Sequence, residues 1–404
     1  MVTYELLVKN GSLYDTRSKR FVQSDLAIAG GSVSKVADNI KMSEAAEVLD
    51  ARGQLVVPGL IDFHTHFYWG ATPLGVNPDK IGPATGVTTW LDFGSAGAGN
   101  VEGLVYHVIR SSRLRLFALL NLSFVGLTPV GKTVARYGEL FDQRLMDVPA
   151  VVEAFATYPD VLKGIKIRLG PLTSGENGSA ALRTAKALSK RLKVPLFVHA
   201  TAPPPFLEEV LATLERGDVL THCLIDNPFN GILGGERELK KEVQDARDRG
   251  VLFDVGHGVS TLSFDVARRA FDEGFWPDVV SSDLHAYNVN GPVFDLPTTI
   301  SKMVALGMPL EDAFYRATRT PADIIGLGQV GELSEGSVAD FALIKWNESS
   351  QELYDSEGTV LDAPLLRVTA TYLEGKKIEP VTDDRHEGKW KAGLLARFKP
   401  QGRS

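Results

Sequence analysis

The sequence contains a single cysteine, Cys223, among its 404 residues. Intramolecular disulfides are therefore impossible, and nothing in the cysteine content ties the chain to an oxidising compartment. Long apolar runs are also missing, so we expect no membrane-spanning helix, which needs about 18 consecutive apolar residues. The opening residues MVTYELLVKNGSLYD lack a basic region followed by an apolar core, so we expect no signal peptide. These absences predict a cytoplasmic protein with no membrane partner.

An excess of positive charge is missing as well. The chain carries 43 Lys and Arg against 50 Asp and Glu, a net charge of -7, so we expect no nucleic-acid partner. The apolar fraction of 44% is typical of a globular core. The length suggests either two or three ordinary domains, or one large α/β barrel with a small additional domain.

The pattern of apolar and turn residues changes near residue 55. Before it, short strands are separated by Asn-Gly and Gly-Gly turns, which predicts a small antiparallel sheet. After it, short apolar runs alternate with helical patterns such as SAALRTAKALSKRLK. Eight apolar runs can be distinguished, at residues 55–66, 86–94, 115–126, 161–170, 194–200, 218–223, 251–258 and 278–285.

Apolar strands that alternate with helices predict a parallel sheet covered on both faces. Eight such units favour the α/β class and a (β/α)8 TIM-type barrel, for which we take residues 55–329. An open doubly wound sheet is the alternative, although no Gly-x-Gly-x-x-Gly follows an early strand. Because neither end of the chain could bury a core alone, residues 1–54 and 330–404 are predicted to form one small β-sandwich domain. Its polar, basic tail, residues 384–404, is expected to be loosely ordered.

Histidine is scarce, yet its positions are not scattered. Only eight histidines occur, and His107 and His386 are the two that do not follow a predicted barrel strand. The other six lie at the carboxyl ends of predicted strands, where barrels of this kind place their active sites. They are His64, His66, His199, His222, His257 and His285.

The first pair, His64 and His66, lies in GLIDFHTHFY. Residues i and i+2 of a strand point the same way, so both imidazoles are expected on one face. Together with His199 and His222 they form a donor set suited to zinc and similar ions. Asp283, at the end of the eighth run, offers a carboxylate that can bind a metal and accept a proton.

Lys166 lies on the fourth predicted strand, and this position makes it a further candidate for the site. A buried ammonium among cations is unfavourable, whereas an amine that has reacted with carbon dioxide would be an anionic bridging ligand. A snorkelling or salt-bridged lysine would explain the residue equally well. Lys163 competes for the same role, but on a strand the two point to opposite faces.

Several strings together resemble a known family. GLIDFHTH, GIKIR, VHA, THC and SSDLH, in this order, resemble the amidohydrolase superfamily. GVTTWLDFGSAGAGN, DVGHG, SSDLHAYN and PVFDLPTTISKM resemble its dihydroorotase-like branch, and within it the amidohydrolase/deacetylase family. The resemblance covers nearly the whole chain, including GELSEGSVADFALI near the return to the small domain.

The resemblance implies a binuclear metal-dependent amidohydrolase, with zinc as the first expectation for both ions. It implies His64, His66 and Asp283 as ligands of one ion and His199 and His222 as ligands of the other. Lys166, carboxylated on Nζ, would bridge the two. The family mechanism uses a hydroxide between the metals as nucleophile and Asp283 as the general base that later protonates the leaving group.

Substrate contacts are predicted for Arg168, His257 and His285. Arg168 shares a strand face with Lys166 and could pair with a substrate carboxylate, although an ordinary salt bridge is equally plausible. Glycines flank His257 and leave the backbone open to a ligand. His285 could bind substrate or hold Asp283 in place. The segment GATPLGVNPD, residues 70–79, is predicted to form a loop over the site.

The resulting hypothesis is a hydrolase of an amide or ester of a small molecule. The deacetylase-like resemblance favours acyclic substrates, such as N-acetyl amino acids or O-acetyl α-hydroxy acids. Ring opening of a cyclic amide, as in dihydroorotases and hydantoinases, is the alternative, because a family name is a poor guide to substrate. A metal-free scaffold is the non-enzymatic alternative. A homo-oligomer is compatible with the resemblance, but no interface can be identified from the sequence.

Overall fold

We describe the protein from a computed structural model that covers residues 2–128, 137–347 and 349–381. The predicted loose tail at residues 384–404, and with it His386, lies outside these described residues.

Nineteen strands form in the described part of the chain. In chain order they are β1 Tyr4–Lys9, β2 Ser12–Asp15, β3 Arg20–Gln23, β4 Asp25–Ala29, β5 Ser32–Ala37, β6 Ala45–Asp50, β7 Leu55–Pro58, β8 Leu60–Thr65, β9 Val87–Asp92, β10 Arg115–Asn121, β11 Leu162–Leu169, β12 Leu196–Ala200, β13 Val219–Thr221, β14 Leu252–Asp254, β15 Phe341–Trp346, β16 Gln351–Tyr354, β17 Val360–Ala363, β18 Leu366–Leu373 and β19 Lys376–Ile378.

The helices lie mainly between the strands of the central region. In chain order they are α1 Pro78–Thr85, α2 Val101–Leu104, α3 Val148–Thr157, α4 Gly178–Leu192, α5 Leu207–Thr213, α6 Lys241–Asp248, α7 Phe264–Asp272, α8 Leu296–Ala305, α9 Leu310–Arg316 and α10 Arg319–Ile324. A π-helical turn, Val105–Ile109, continues α2, and short 3₁₀ turns occupy Met42–Glu44, Gln143–Leu145 and Gly175–Asn177. Among the described residues, no helix is long and apolar enough to cross a membrane.

Helix α4 shows how the predicted helices cover the sheet. It corresponds to the string SAALRTAKALSKRLK, and its buried residues Ala181, Leu182, Ala185 and Leu188 recur at helical spacing. Such a stripe faces the sheet while the charged residues between them face water. The helix ends at Lys193, which adopts the left-handed conformation common after a last helical turn.

Strands β8 to β14 form a curled parallel sheet in sequence order. Strands β8 and β9 are completely buried, as expected when helices cover one face and the opposite strands the other. The predicted α/β barrel is confirmed, because bridges from residues 279 and 284 to β14 and β8 join the two edges of this sheet, and the carboxyl ends of its parallel strands lie at one rim.

The eighth predicted strand, residues 278–285, is not a regular strand. Single parallel bridges join Val279 to Asp254 and Leu284 to Thr65, so the segment spans the gap between β14 and β8. The reason lies in its serines, because the Ser282 backbone N–H donates to the Asp62 side chain at 3.1 Å instead of joining a ladder. Expecting a full strand here was therefore wrong, although the segment occupies that position.

The first predicted run, residues 55–66, is two strands rather than one. Strand β7 pairs with β2 and with β15, whereas β8 pairs with β9 in the barrel. The break lies at Gly59, where a Cβ atom would approach Thr88 Oγ1 to 2.1 Å. Residues Leu55–Pro58 therefore lie in a small sheet and not in the barrel sheet where we expected them.

Two further sheets form the predicted β-sandwich from both ends of the chain. One has the order β5-β4-β1-β6, and the other has the order β19-β18-β15-β7-β2-β3. Their facing sides share an apolar core that includes Ile28, Val56, Phe341 and Tyr372. The expectation that early and late segments combine is confirmed, since neither set of residues buries this core without the other.

Candidate metal centre

His64 and His66 converge on one carboxylate oxygen. Their Nε2 atoms lie 3.4 Å and 3.3 Å from Asp283 Oδ1. The predicted reason, simple alternation along a strand, is incomplete, because the register with β9 shifts between Asp62 and Thr65 and the strand ends before His66. The irregular strand end nevertheless brings both imidazoles to the same point at the barrel rim.

His199 and His222 lie beside this pair. Their rings are 4.5 Å apart between centroids, and the rings of His64 and His222 are 5.0 Å apart. Donor atoms of His64, His222 and Asp283 all lie within 4.8 Å of one another, so the two predicted groups of ligands, one with His64 and Asp283 and the other with His222, meet at one place. The end of β12, the end of β13 and the segment after β14 thus contribute to one cluster.

Hydrogen bonds on the far side of each ring determine which nitrogen is free. His66 Nδ1 bonds Ser95 Oγ at 2.9 Å, and His222 Nδ1 donates to the Gly256 carbonyl at 2.7 Å. Each of these rings therefore keeps Nε2 for a ligand role. His199 is reversed, because its Nε2 bonds Thr201 Oγ1 at 3.2 Å and its Nδ1 remains.

The partner of His64 was not predicted. Its Nδ1 lies 2.9 Å from Thr221 Oγ1 and 3.2 Å from Asp254 Oδ2, and Asp254 also accepts from Thr221 and from Ser281 Oγ. This network orients the imidazole from behind. The available signal was the single carboxylate inside the apolar run VLFDVG.

Burial keeps these imidazoles neutral. It lowers the pKa of His66 to about 3 and that of His222 to about 4. Burial also lowers the pKa values of His64 and His199 well below 6.5. The nearby Lys166 lowers the pKa of His64 further, and His222 lowers that of His199 further. Neutral imidazole is the form that binds a metal ion.

Lys166 is buried in the same cluster without a partner. Its side chain is 1% exposed, and among the described residues Nζ makes no hydrogen bond. Nζ lies 4.0 Å from the centroid of the Phe93 ring, which stacks on His64 at 3.7 Å. Burial and the nearby Arg168 lower the pKa of Lys166 well below 10.5.

Lys163 does not join this cluster. Its Nζ lies 4.6 Å from the Phe117 ring centroid. Phe117 packs against an apolar cluster that contains Leu119 and Val279, in the barrel interior. The structure thus separates the two competing lysines, and Lys166 is the one placed among the histidines.

Asp283 is held in a strained conformation. Its φ of 49° lies in the left-handed region, which is uncommon for residues other than glycine. The Asn288 side chain donates to its carbonyl at 2.7 Å. Its Oδ1 is buried without a hydrogen bond in the described chain, and burial raises the pKa of the carboxyl.

Arg168 is paired within the protein. Its Nη1 donates to Glu139 Oε1 at 2.8 Å, and its side chain is 20% exposed while Glu139 is buried. The salt bridge that we gave as an alternative therefore exists. Substrate binding stays a prediction.

The other two predicted contacts differ in their surroundings. His257 is fully buried, and its two ring nitrogens face the Gly258 carbonyl at 2.9 Å and Lys302 Nζ at 2.8 Å. This geometry favours a structural role over the predicted substrate contact. His285 lies near His66, with ring centroids 6.3 Å apart, and its Nδ1 accepts from the Tyr287 N–H at 3.2 Å.

The predicted loop at residues 70–79 lies near this rim. The Ala286 N–H, next to His285, donates to the Leu74 carbonyl at 2.8 Å, and Val76 N–H donates to the His66 carbonyl at 3.0 Å. The loop is therefore tied to two segments that carry site residues.

Comparisons with known proteins agree on the family and differ on the substrate. The sequence profile described as Amidohydrolase family matches residues 241–378. A deacetylase of Brucella anthropi is 35% identical over 334 residues, which are 82% of this chain and 81% of that protein. The crystal structure of an adenine deaminase matches with a TM-score of 0.85 and 33% identity, covering 93% of this chain and 99% of that one. The crystal structure of a dihydroorotase matches with a TM-score of 0.83 and 32% identity, covering 92% and 98%.

Proposed function

Since this chain belongs to the amidohydrolase family and is a hydrolase, we propose that it cleaves an amide or ester bond of a small acyclic acyl compound. N-acetyl amino acids and O-acetyl α-hydroxy acids are the substrate classes that we favour. The deacetylase of Brucella anthropi, similar over most of both chains, supports an acyl substrate.

Two divalent ions, zinc as our first choice, fit the residues present. The single observation that carries this proposal is a pair of buried polar atoms without hydrogen bonds in the described chain, Lys166 Nζ and Asp283 Oδ1, among four neutral imidazoles. His64, His66 and Asp283 would hold one ion, and His199 with His222 the other. The neutral amine of Lys166 would form a C–N bond to carbon dioxide and release one proton to water, and the resulting carbamate would be an anionic ligand for these ions.

Such ions would supply a Lewis acid for the substrate carbonyl and would lower the pKa of water at the site. The chain itself supplies the proton transfer. Asp283 has two carboxylate oxygens, so one can hold an ion while the other accepts the proton of the attacking water and delivers it to the leaving group. The backbone at this residue is in the left-handed region, and its carboxylate lies beside the Nε2 atoms of His64 and His66.

Arg168 is the residue that we propose for recognition of a substrate carboxylate. It lies two residues beyond Lys166 on β11, and Glu139 holds one of its nitrogens. A guanidinium fixed on one side presents its other donors in a defined direction. His285 can donate from Nε2, because its Nδ1 already accepts a backbone hydrogen bond.

Opening of a cyclic amide is the second candidate. The whole-chain match to the crystal structure of a dihydroorotase favours it. The same ligands and the same carboxylate would serve either bond, so the candidates differ only in the shape of the substrate. Adenine belongs in the same comparison, because the matched crystal structure of an adenine deaminase covers nearly the whole chain.

A hydrolysis screen tests the proposal. The protein is loaded with zinc and supplied with bicarbonate. It is then assayed with both enantiomers of N-acetyl amino acids and O-acetyl α-hydroxy acids, with dihydroorotate and hydantoins, and with adenine. Turnover of the acyclic compounds is expected. Turnover of cyclic amides or adenine alone would refute the proposed acyclic substrate class. No turnover of any compound, together with no bound metal, would refute the proposal of a metal-dependent hydrolase.

Two lysine variants on one strand test the ligand set. Lys166→Ala should lose at least one of the two metal ions and almost all activity, because the proposed anionic ligand is absent. Lys163→Ala is the matched control, since its side chain lies over Phe117 and outside the cluster. Metal analysis of both proteins gives the result, and full metal content in Lys166→Ala would contradict the proposed role.

We also propose that the enzyme acts in the cytoplasm on a small molecule, without nucleic-acid or membrane partners. A homo-oligomeric state stays a prediction, and so does the domain division at residues 1–54, 55–329 and 330–404, except that Leu55–Pro58 pair within the small sheet. Cell fractionation, gel filtration and limited proteolysis test them.

A further inference from the structure

Lys302 is a second buried lysine, outside the ligand cluster. It lies on α8 and is fully buried, yet no carboxylate oxygen of the described residues lies within 4.0 Å of its Nζ. Nζ instead donates to the Pro292 carbonyl at 2.7 Å and to His257 Nε2 at 2.8 Å. A buried lysine is costly to keep, so its two bonds require an explanation.

The two contacts of His257 determine its tautomer. The Gly258 carbonyl, 2.9 Å from Nδ1, can only accept, so the proton of a neutral imidazole lies on Nδ1 and Nε2 accepts from Lys302 Nζ. Burial lowers the pKa of His257 well below 6.5, and the nearby Lys302 acts in the same direction, so the ring is neutral. Lys302 thus holds the far side of the ring in the orientation from which Nδ1 donates to the loop.

The loop that contains His257 touches two residues of the metal centre. The Gly256 carbonyl accepts from His222 Nδ1 at 2.7 Å. A Cβ atom on Gly258 would lie 2.7 Å from Asp283 Oδ2, so this glycine lies directly against the carboxylate. Residues 256–258, which we name the glycine loop, are therefore the surface on which both side chains rest.

The glycine loop is also joined to the segment that carries Asp283. The His257 and Gly258 N–H groups donate to the Ser281 and Ser282 carbonyls at 3.3 Å and 3.1 Å. Pro292, the other partner of Lys302, follows that segment in the chain. A displacement of the loop would consequently move His222 and Asp283 together.

We propose that Lys302 is a positioning residue, which acts through His257 and the glycine loop to hold Asp283 and His222 in their places. This inference rests on the proposed function for the role of Asp283 in turnover, but not for the geometry of the site. It also gives His257 a role different from the substrate contact that the sequence suggested.

The test compares two lysine-to-methionine variants. Lys302→Met keeps the length of the side chain and removes its donors. Lys186→Met is the matched control, because Lys186 is also largely buried but pairs with Asp218 at 2.5 Å, beside the amino end of β13. Both variants lose a buried polar contact, and only one of these contacts leads to the glycine loop.

The first readout does not depend on any substrate. Each protein is loaded with cobalt, and its visible absorption spectrum and its affinity for the metal are measured. Lys302→Met should change the spectrum and weaken binding by about 10–100-fold, as the loss of a group behind a ligand usually does. An unchanged spectrum and affinity in folded Lys302→Met would overturn the proposal, even if the wild-type protein hydrolysed nothing in the substrate screen.

The second readout is turnover. With a substrate found in that screen, Lys302→Met should lower kcat about 10–100-fold at saturating metal and leave KM nearly unchanged, whereas Lys186→Met keeps the kcat of the wild type. Equal losses of kcat in both variants would mean that Lys302 is only structural.

Should Lys302→Met fail to fold, His257→Gln answers the same question. A glutamine can still accept from Lys302, but it cannot donate from the Nδ1 position to the Gly258 carbonyl. The same spectral change is expected. Wild-type spectrum and affinity in folded His257→Gln would overturn the route through the glycine loop.

Discussion

Gly94 lies directly against Lys166, and its replacement by alanine gives a measure of how tightly that lysine is held. A Cβ atom at Gly94 would lie 2.6 Å from Lys166 Cγ and 2.7 Å from its Cβ. Carbon atoms in good contact are about 3.5–4.0 Å apart, so Lys166 would have to move by roughly 1 Å. Gly94 also has a φ of +88°, which a residue with a side chain adopts only with strain.

The two costs can be estimated separately. The left-handed conformation costs about 1–2 kcal/mol, and overpacking of a filled interior costs about 1–3 kcal/mol. Gly94→Ala should therefore lower the free energy of unfolding by about 2–5 kcal/mol. It should also reduce bound metal, because Lys166 leaves its place among the imidazoles.

Gly217→Ala provides the matched control. Gly217 has a φ of +86°, and its Cβ atom would meet nothing within 4 Å. Gly217→Ala should lower the free energy of unfolding only by the strain of the left-handed backbone, about 1–2 kcal/mol, and should leave the metal content unchanged. Urea unfolding and metal analysis of the two variants give the answer. If Gly94→Ala were no less stable than Gly217→Ala and bound its full metal, Lys166 would not be packed as described.

Three further results are expected. Asp283→Asn should lower kcat about 10²–10⁴-fold, since we propose that the carboxylate transfers the proton, and an unchanged kcat would refute that role. Arg168→Ala should raise KM for substrates with a carboxylate about 10–100-fold but not for their neutral amides, because a hydrogen bond to a charged group contributes about 1.5–3 kcal/mol. Burial, opposed by Asp295 and Asp355, lowers the pKa of Lys302 from 10.5 to about 7 in the folded protein. Between about pH 7 and 10.5, this lysine therefore binds more protons in the unfolded chain than in the folded protein, so its contribution makes the free energy of unfolding rise with pH. Lys302→Met should remove this part of the pH dependence, which urea unfolding at several pH values measures.

Much of the architecture could be predicted because it depends on local patterns. Apolar runs separated by helical stripes are sufficient to indicate parallel strands, and helices such as Gly178–Leu192 follow from spacing alone. The break at Gly59 could not be predicted, because it depends on Thr88, a residue of the neighbouring strand. The irregular eighth segment likewise depends on Asp62, far away in sequence.

The candidate site divides in the same way. Its histidines could be found because strand ends share one rim, whatever the details of the register. The role of Asp254 could not, since it arises from a contact with His64, 190 residues away. His257 carries the same strand-end signal as the other histidines, and only the position of Lys302 shows that its ring is enclosed.

The division of the first run into β7 and β8 has a consequence for synthesis on the ribosome. Strand β7 precedes the barrel, but its partner β15 and the core residues Phe341 and Tyr372 come much later in the chain. At 5–20 residues per second, the roughly 300 intervening residues take about 15–60 s to be made. For that time Val56 has its earlier partner strand β2 but lacks Phe341 and Tyr372, so part of its apolar surface stays exposed and prone to aggregation. Strand β7, which directly precedes β8 and the candidate ligands His64 and His66, is therefore among the last strands to be covered on its β15 side.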